Sequence, residues 1–289
     1  MALHQLFPII GKKYRVDIVL QRLKIFPGYC QLCSKWTIFF IRSKNLREDV
    51  FCVRCKSRNR QRQITQILIH EVLKKENLAY IDRMHGLNRL KTNFKAWNTE
   101  SSGSLHNKLK ETIRHNLIYS EYIANNLNSG EIVKNILHVD LCSTHFDNEE
   151  FDYIISSDVL EHVPDISAAL KETYRVLKIG GSHIFTIPFF THRSSIQTRA
   201  VIDENGDLKH VLKPWFHLDP LRKEGTLCFR VFAIEILSVL EKIGFDAKLI
   251  NIHSTLNGIL GSDGYVFVAT KKKVSVIDKD PIESMMQSE

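Results

Sequence analysis

The chain has 289 residues, 44% hydrophobic and 25% charged, with a formal net charge of +8. This composition describes a globular protein with ample core and excludes disordered and collagen-like chains. No run of about 18 apolar residues is present to span a membrane. In MALHQLFPIIGKKYRVDIVL the basic residues follow the apolar stretch instead of preceding it, unlike a secretory leader; a cytoplasmic location is therefore expected. The charge is uneven, because residues 1–75 hold 16 of the 40 Lys/Arg and only 4 of the 32 Asp/Glu, a net +12 against −4 for the remainder.

In chain order, the first motif is Cys30-x2-Cys33, eighteen residues, then Cys52-x2-Cys55. Each pair has the spacing of a zinc knuckle, and two knuckles supply a tetrahedral set of four thiolates. A disulfide pair is the competing reading, disfavoured in a cytoplasmic chain. Trp36–Ile41 is β-rich and 47–53 pairs back onto it, a hairpin that brings the knuckles together. With four protein ligands the site is closed and structural. Cys142 and Cys228 stand alone in apolar settings and read as buried thiols. The run KSRNRQR, 56–62, leads into a helix to about Lys75 with Ile64, Ile67, Leu68 and Val72 on one face. Its arginines suit phosphates or an anionic substrate, or simply a solvated helix start, since no aromatic residues interleave them.

Leu78–Met84 is the expected next strand, with Asp82 inside it and Gly86 in the turn that follows. Residues 98–116 are polar, and SSGS at 101–104 reads as an exposed loop. Leu117–Tyr119 is a strand ending at Ser120-Glu121, and Ile136–Val139 another closing on Asp140-Leu141. Phe151–Pro188 reads as one βαβ unit. Tyr153–Ser156 is its first strand, Asp165 caps a helix bearing Ile166, Ala169, Leu170, Tyr174 and Leu177, Gly180-Gly181 stops that helix, and 182–187 returns as a strand. Ligands of such units bind beyond the carboxyl ends of the strands, which puts Ser156, Ser157, Asp158 and His162 on the ligand side. After Pro188 come two stretches rich in aromatic and basic residues, then a helix over 231–243 stopped by Gly244, a strand over 247–252, and a last strand over 265–270.

Phe151-Asp152, Asp158-Val-Leu-Glu-His162-Val-Pro-Asp165 and Arg175-Val-Leu-Lys-Ile-Gly-Gly181 together resemble the class I S-adenosylmethionine-dependent methyltransferases of the type 11 sort. A Cys-x2-Cys module followed by an arginine-bearing helix resembles a subset of that family. The resemblance implies an α/β fold, a Rossmann-like seven-stranded methyltransferase sheet with helices on both faces, preceded by a small zinc ribbon. It implies a zinc-ribbon module over 1–62, a methyltransferase domain over 63–270 with a substrate lid about 189–230, and a frayed tail over 271–289. It implies S-adenosylmethionine as cofactor, with Asp82 near the family's acidic position and Gly86 standing for a degenerate glycine turn. Glu121 falls at the position that meets the ribose hydroxyls, Asp140 and Leu141 at those that meet adenine, and Ser157 on the ligand side. His192, Arg193, Arg199 and His217 in the lid are the candidate acceptor contacts.

Methyl transfer to an oxygen or nitrogen nucleophile of a small-molecule or glycan-type acceptor is the function so implied. The sulfonium is already activated, so the protein aligns the acceptor and, for a hydroxyl, removes a proton. His162 is the preferred base, because imidazole titrates near neutrality; Asp158 is the second choice, and a plain pocket-wall role is the bland reading of His162. An RNA methyltransferase holding phosphate with the basic segment is the alternative, though the Asn/Asp-Pro-Pro-Tyr/Phe loop of base-amino methyltransferases is absent. A non-catalytic scaffold of the same fold is the third reading. Neither the acceptor nor the oligomeric state is legible.

Overall fold

The computed structural model describes residues 7–75, 84–191, 193–217, 222 and 224–272, with side chains from residue 15 onward. The expected strand over 78–84, except its last residue, lies outside the described residues, as do Asp82, His192 and the tail from 273. Helix α1 (Phe7–Leu23) precedes a three-stranded antiparallel sheet of β1 (Ile25–Cys30), β2 (Lys35–Ile41) and β3 (Val50–Cys52), with α2 (Leu46–Asp49) between the last two. This is the hairpin expected between the knuckles: Phe39 faces Cys52 and Ile41 faces Val50. Helix α3 (Asn59–Lys75) follows directly.

The main sheet then runs β4 (Ala96–Asn98), α4 (Gly103–Ile113), β5 (Leu117–Glu121), β6 (Ile132–Val133), β7 (Ile136–His138), β8 (Phe151–Ser157), α5 (Ile166–Val176) and β9 (Leu177–Thr186). Three small antiparallel pairings occupy residues 197–231, the segment expected as the lid: β10 (Gln197–Thr198) with β15 (Arg230–Val231), β11 (Ala200–Ile202) with β12 (Leu208–His210), and β13 (Phe216–His217) with β14 (Thr226–Leu227). Helix α6 (Ile236–Ile243), β16 (Phe245–Asn251) and β17 (Tyr265–Lys271) complete the chain. The strand order is β16-β17-β9-β8-β4-β5-β7-β6. Pairing is parallel from β7 through β9 and antiparallel where β17 meets β9 and β16. This is the expected Rossmann-like methyltransferase sheet, with the two-residue β6 added as an eighth strand on one edge.

Alternation along the strands divides the core between two faces. Tyr153, Ile155, Ile184, Val266 and Val268 point to one, against α3 and α4, and to the core of the N-terminal sheet through Cys30, Phe39, Ile41 and Val50. Ile154, Phe185, Phe267 and Ala269 point to the other, against α5 and α6. The N-terminal module therefore shares one buried cluster with the large sheet. Among the described residues no helix is long and apolar enough to cross a membrane.

Four expectations change. Among the described residues the strand between β5 and β8 is β4, and the polar stretch 98–116 contains its turn and α4. Gly86 lies against the first knuckle: a Cβ there would stand 2.2 Å from Ser34 Oγ, and Leu87 N donates to Gln31 O at 2.8 Å. Gly86 thus braces the first knuckle. Gly180-Gly181 does not stop α5, which ends at Val176; the pair lies within β9, next to the register shift opposite Phe151/Tyr153. Likewise α6 begins only at Ile236, because Val231 is taken up by pairing with Gln197. Asp165 does cap α5, accepting from Ala168 N at 3.0 Å, and Gly244 closes α6 in the left-handed conformation, φ 116°.

The ribbon docks on the 254–260 loop, where Tyr29 N donates to Leu256 O at 2.7 Å and Asn257 Nδ2 to Tyr29 O at 3.1 Å. An added Cβ on Gly28 would stand 2.3 Å from Leu256 O, a backbone atom that cannot yield cheaply. Gly28→Ala is expected to lower stability by about 1–3 kcal/mol through overpacking, read as a shifted urea midpoint; an unchanged midpoint would show that this approach is not tight.

Candidate cofactor cleft and its neighbours

The strand order reverses at β4, with β5 on one side and β8 on the other, so the crevice for a ligand opens beyond the carboxyl ends of these strands. Four turns meet there. The turn after β4, Thr99 to Ser102, is tied to the end of β5: Ser101 donates from its N at 2.8 Å and from its hydroxyl at 3.1 Å to Glu121 Oε1. At the neighbouring end of β7, Asp140 accepts from Cys142 N at 2.8 Å and Leu141 is buried. Arg222 of the lid donates to Tyr122 O at 2.8 Å, so the lid reaches over the end of β5.

The end of β8 is occupied from the N-terminal module. Arg47 on α2 meets Asp158 with both guanidinium nitrogens, at 2.8 and 2.5 Å. Thr186 Oγ1 adds a hydrogen bond to Asp158 at 2.9 Å. Arg60, just past the last cysteine, donates to the Ser157 hydroxyl and lies 3.6 Å from Asp158. Glu48 links the arginines, accepting from Arg47 at 2.7 Å, Arg58 at 2.9 Å and Arg60 at 3.0 Å. Asp158 adopts a positive φ of 59°, a sparsely populated conformation that these contacts over-determine.

Burial alone would raise the Asp158 carboxyl, but Arg47 and then Arg60 outweigh desolvation and hold it well below the usual carboxylate range. This corrects its assignment as a second-choice base: a carboxylate bound bidentately by arginine has little tendency to take a proton. Glu100, in the turn after β4, is the converse case. Desolvation pushes its carboxyl up to about 8 against the pull of Arg60. The cluster sets Arg47, Arg58 and Arg60 against the carboxylates of Glu48 and Asp158.

His162 lies in the 3₁₀ turn Leu160–His162 beyond β8. Its Nδ1 faces Leu227 O at 2.8 Å. A carbonyl only accepts, so this contact assigns the proton to Nδ1 and leaves Nε2 with the lone pair. Of the lid candidates, His217 is brought to His162, their rings 5.1 Å apart. Arg199 stacks on Trp215 at 5.4 Å and donates to Lys213 O, while Arg193 packs over Phe190 at 5.9 Å; neither is joined to His162.

At the ribbon, Cys30 and Cys55 Sγ are 3.8 Å apart and Cys33 and Cys52 Sγ 4.0 Å. Those separations are far beyond a disulfide bond. They match a tetrahedral ion with sulfurs at about 2.3 Å, whose edges are roughly 3.8 Å. Hydrogen bonding within the cluster lowers Cys52 and Cys55, Cys55 to about 6, and pushes Cys30 and Cys33 up. Arg62 is fully buried beside them, donating to Ser57 O, Val50 O and Gly258 O. Among the described residues it has no carboxylate partner; burial lowers its guanidinium, and the neighbouring cysteines pull it back up.

The sequence pointed to Glu121, Asp140, Ser157 and His162 at strand ends. It missed Arg47, Arg60 and Glu100, for which the only local signal was the basic run after Cys55 and the polar turn at 101–104.

A family profile described as a methyltransferase domain matches residues 102–185. The demethylmenaquinone methyltransferase of Staphylococcus epidermidis is 36% identical over 73 residues, 23% of this chain. The match spans 30% of the length of that curated relative. Among solved structures, an S-adenosylmethionine-dependent methyltransferase from Mesorhizobium loti is 15% identical, covers 62% of this chain and 91% of its own, and has a TM-score of 0.39. The phosphoethanolamine N-methyltransferase 2 of Haemonchus contortus in complex with S-adenosyl-L-methionine is 17% identical, covering 69% and 53%, with a TM-score of 0.35. The fold assignment rests on the strand order and the family profile.

Since the folded Glu100 carboxyl is raised, its contribution to stability is full below the ordinary glutamate range and is lost as pH rises toward 8. Glu100→Gln is therefore expected to melt higher than the parent protein at pH 8, with the gap narrowing by pH 5. Thermal melts at both pH values check this; a gap independent of pH would mean Glu100 is ionised in the cleft.

Proposed function

We propose, from the strand order and the match of residues 102–185 to a methyltransferase-domain profile, that the protein transfers a methyl group from S-adenosylmethionine to an oxygen or nitrogen nucleophile of a small-molecule or glycan-type acceptor. The observation that supports it best is the convergence at one crevice of Glu121, Asp140 and the guanidinium groups of Arg47 and Arg60. Bound there, S-adenosylmethionine supplies a methyl group already activated by its sulfonium. Glu121 accepts from the ribose hydroxyls and Asp140 from the adenine amino group. The Arg60 guanidinium beside Ser157 suits the α-carboxylate of the methionine part. His162 takes the acceptor's proton at Nε2, oriented by its Nδ1 contact with Leu227 O. A structural zinc ion held by Cys30, Cys33, Cys52 and Cys55 keeps Arg47 and Arg60 in place, since α2 lies between the knuckles and Arg60 follows the last of them.

The basic segment supports this reading over an RNA methyltransferase. Arg47, Arg60 and Arg62 are turned inward onto Asp158, Ser157 and backbone carbonyls, so they are not displayed to a phosphate backbone.

Truncating Asp140 to Ala is expected to weaken S-adenosylhomocysteine binding by up to about 3 kcal/mol, the range for hydrogen bonds to a charged group; calorimetry giving unchanged affinity would remove Asp140 from the site. His162→Ala is expected to lower turnover by about 10²–10⁴-fold, with cofactor affinity nearly unchanged. The acceptor is found first by surveying sugars, sugar nucleotides, quinols and small RNAs for methyl incorporation. Turnover by the variant at the parent rate would leave His162 as pocket wall.

A further inference from the structure

Two groups of metal-ligating side chains converge among the described residues: the four knuckle cysteines, and His162, His217 and Cys228. The second group comes from three separate segments. His162 sits in the turn beyond β8, His217 on β13, and Cys228 just after β14, whose pairing sets His217 opposite Thr226. The turn and the strap carrying Cys228 are clamped together: Phe229 N donates to Glu161 O at 2.8 Å, and Arg230 donates to the carbonyls of Leu160, Val163 and Pro164. The ligand atoms of the three residues lie within 4.8 Å of one another. Ligands at about 2.0–2.3 Å from a tetrahedral ion lie roughly 3.3–3.8 Å apart, so only a modest contraction is needed.

An independent feature lies beside them. Glu161 has a side chain only 1% exposed, and neither carboxylate oxygen makes a hydrogen bond. Oε1 stands 3.2 Å from His217 Nδ1 and 3.7 Å from His162 Nε2, aimed into the same cluster. A buried carboxylate without hydrogen bonds is costly unless a positive charge faces it. The geometry points to a second metal site, for a divalent ion of the Zn²⁺ or Co²⁺ class, liganded by His162 Nε2, a ring nitrogen of His217 and Cys228 Sγ, with Glu161 as neighbouring or fourth ligand. Two imidazoles and one thiolate select a borderline ion over Mg²⁺ or Ca²⁺. The charges balance: a dication is neutralised by the Cys228 thiolate and the Glu161 carboxylate, with both histidines neutral. An ion here uses the same Nε2 that serves as base without it, so metal loading and proton removal by His162 are alternative states of one side chain. The binding claim itself does not depend on methyl transfer.

The test uses full-length protein purified reduced and saturated with zinc, then freed of excess ion by gel filtration. Metal per chain is measured for the parent, for Cys228→Ser and for His217→Ala. His217 is partly exposed, so its variant is the one that keeps the fold if Cys228→Ser does not. The expected result is one metal ion fewer per chain in each folded variant than in the parent, whatever the four-cysteine site holds. Co²⁺ titration should add a thiolate-to-cobalt charge-transfer band that Cys228→Ser abolishes. Glu161→Gln should weaken the titration by about 10–100-fold, as loss of a supporting carboxylate does. Equal metal content in the parent and His217→Ala would overturn the site, as would cobalt absorption per chain in Cys228→Ser equal to that of the parent.

Discussion

The ion pair between Arg47 and Asp158 joins residues 111 positions apart and lies where the N-terminal module meets the carboxyl end of β8. Its neighbours depend on it. Arg60 reaches Ser157 past the same carboxylate, Glu48 is shared among three arginines, and Glu100 is left in a setting that favours its neutral form. Buried charges of this kind contribute little net stability, but removing one partner strands the other, so the arrangement selects one geometry for the crevice. It also makes the module part of the crevice wall. Together with the buried cluster shared by Phe39, Ile64, Leu105 and Ile155, it makes the ribbon and the sheet one packed body.

Arg62 extends the same logic to the cysteines. A fully buried guanidinium whose hydrogen bonds end on carbonyl oxygens needs an anion, and the knuckle thiols are at hand. Its contacts with Val50 O and Gly258 O tie β3 and the loop before β17 to α3. The proposed zinc would therefore act on more than local folding, because α2 and the start of α3 bear the arginines that enter the crevice.

On the opposite side, the lid is fastened by Arg230 and Phe229 to the turn that carries His162. The three short pairings between 197 and 231 have little core of their own, so their positions follow from such backbone contacts. This places His217 and Cys228 beside His162 while Arg193 and Arg199 stay on neighbouring aromatic rings. The crevice is thus walled by two segments outside the sheet, one before it in the chain and one between β9 and β16.

Local pattern determined what depends on local pattern. The Cys-x2-Cys spacing, the period of α5 with its Asp165 cap, and the apolar runs of β8 and β17 were legible because capping and alternation act over a few residues. Glu121 and Asp140 were legible at strand ends for the same reason, with the resemblance supplying their roles. β4 was missed because three residues, Ala96–Asn98, carry too little periodicity to announce a strand, and its place between β5 and β8 is decided by non-local pairing. Gly86 drew attention as a glycine after a candidate strand, yet only packing against Ser34 decided its place. Nothing in the sequence separates Asp158 as a base from Asp158 as an anchor. That depends on Arg47 arriving from more than a hundred residues away, and on desolvation that only the assembled tertiary structure imposes.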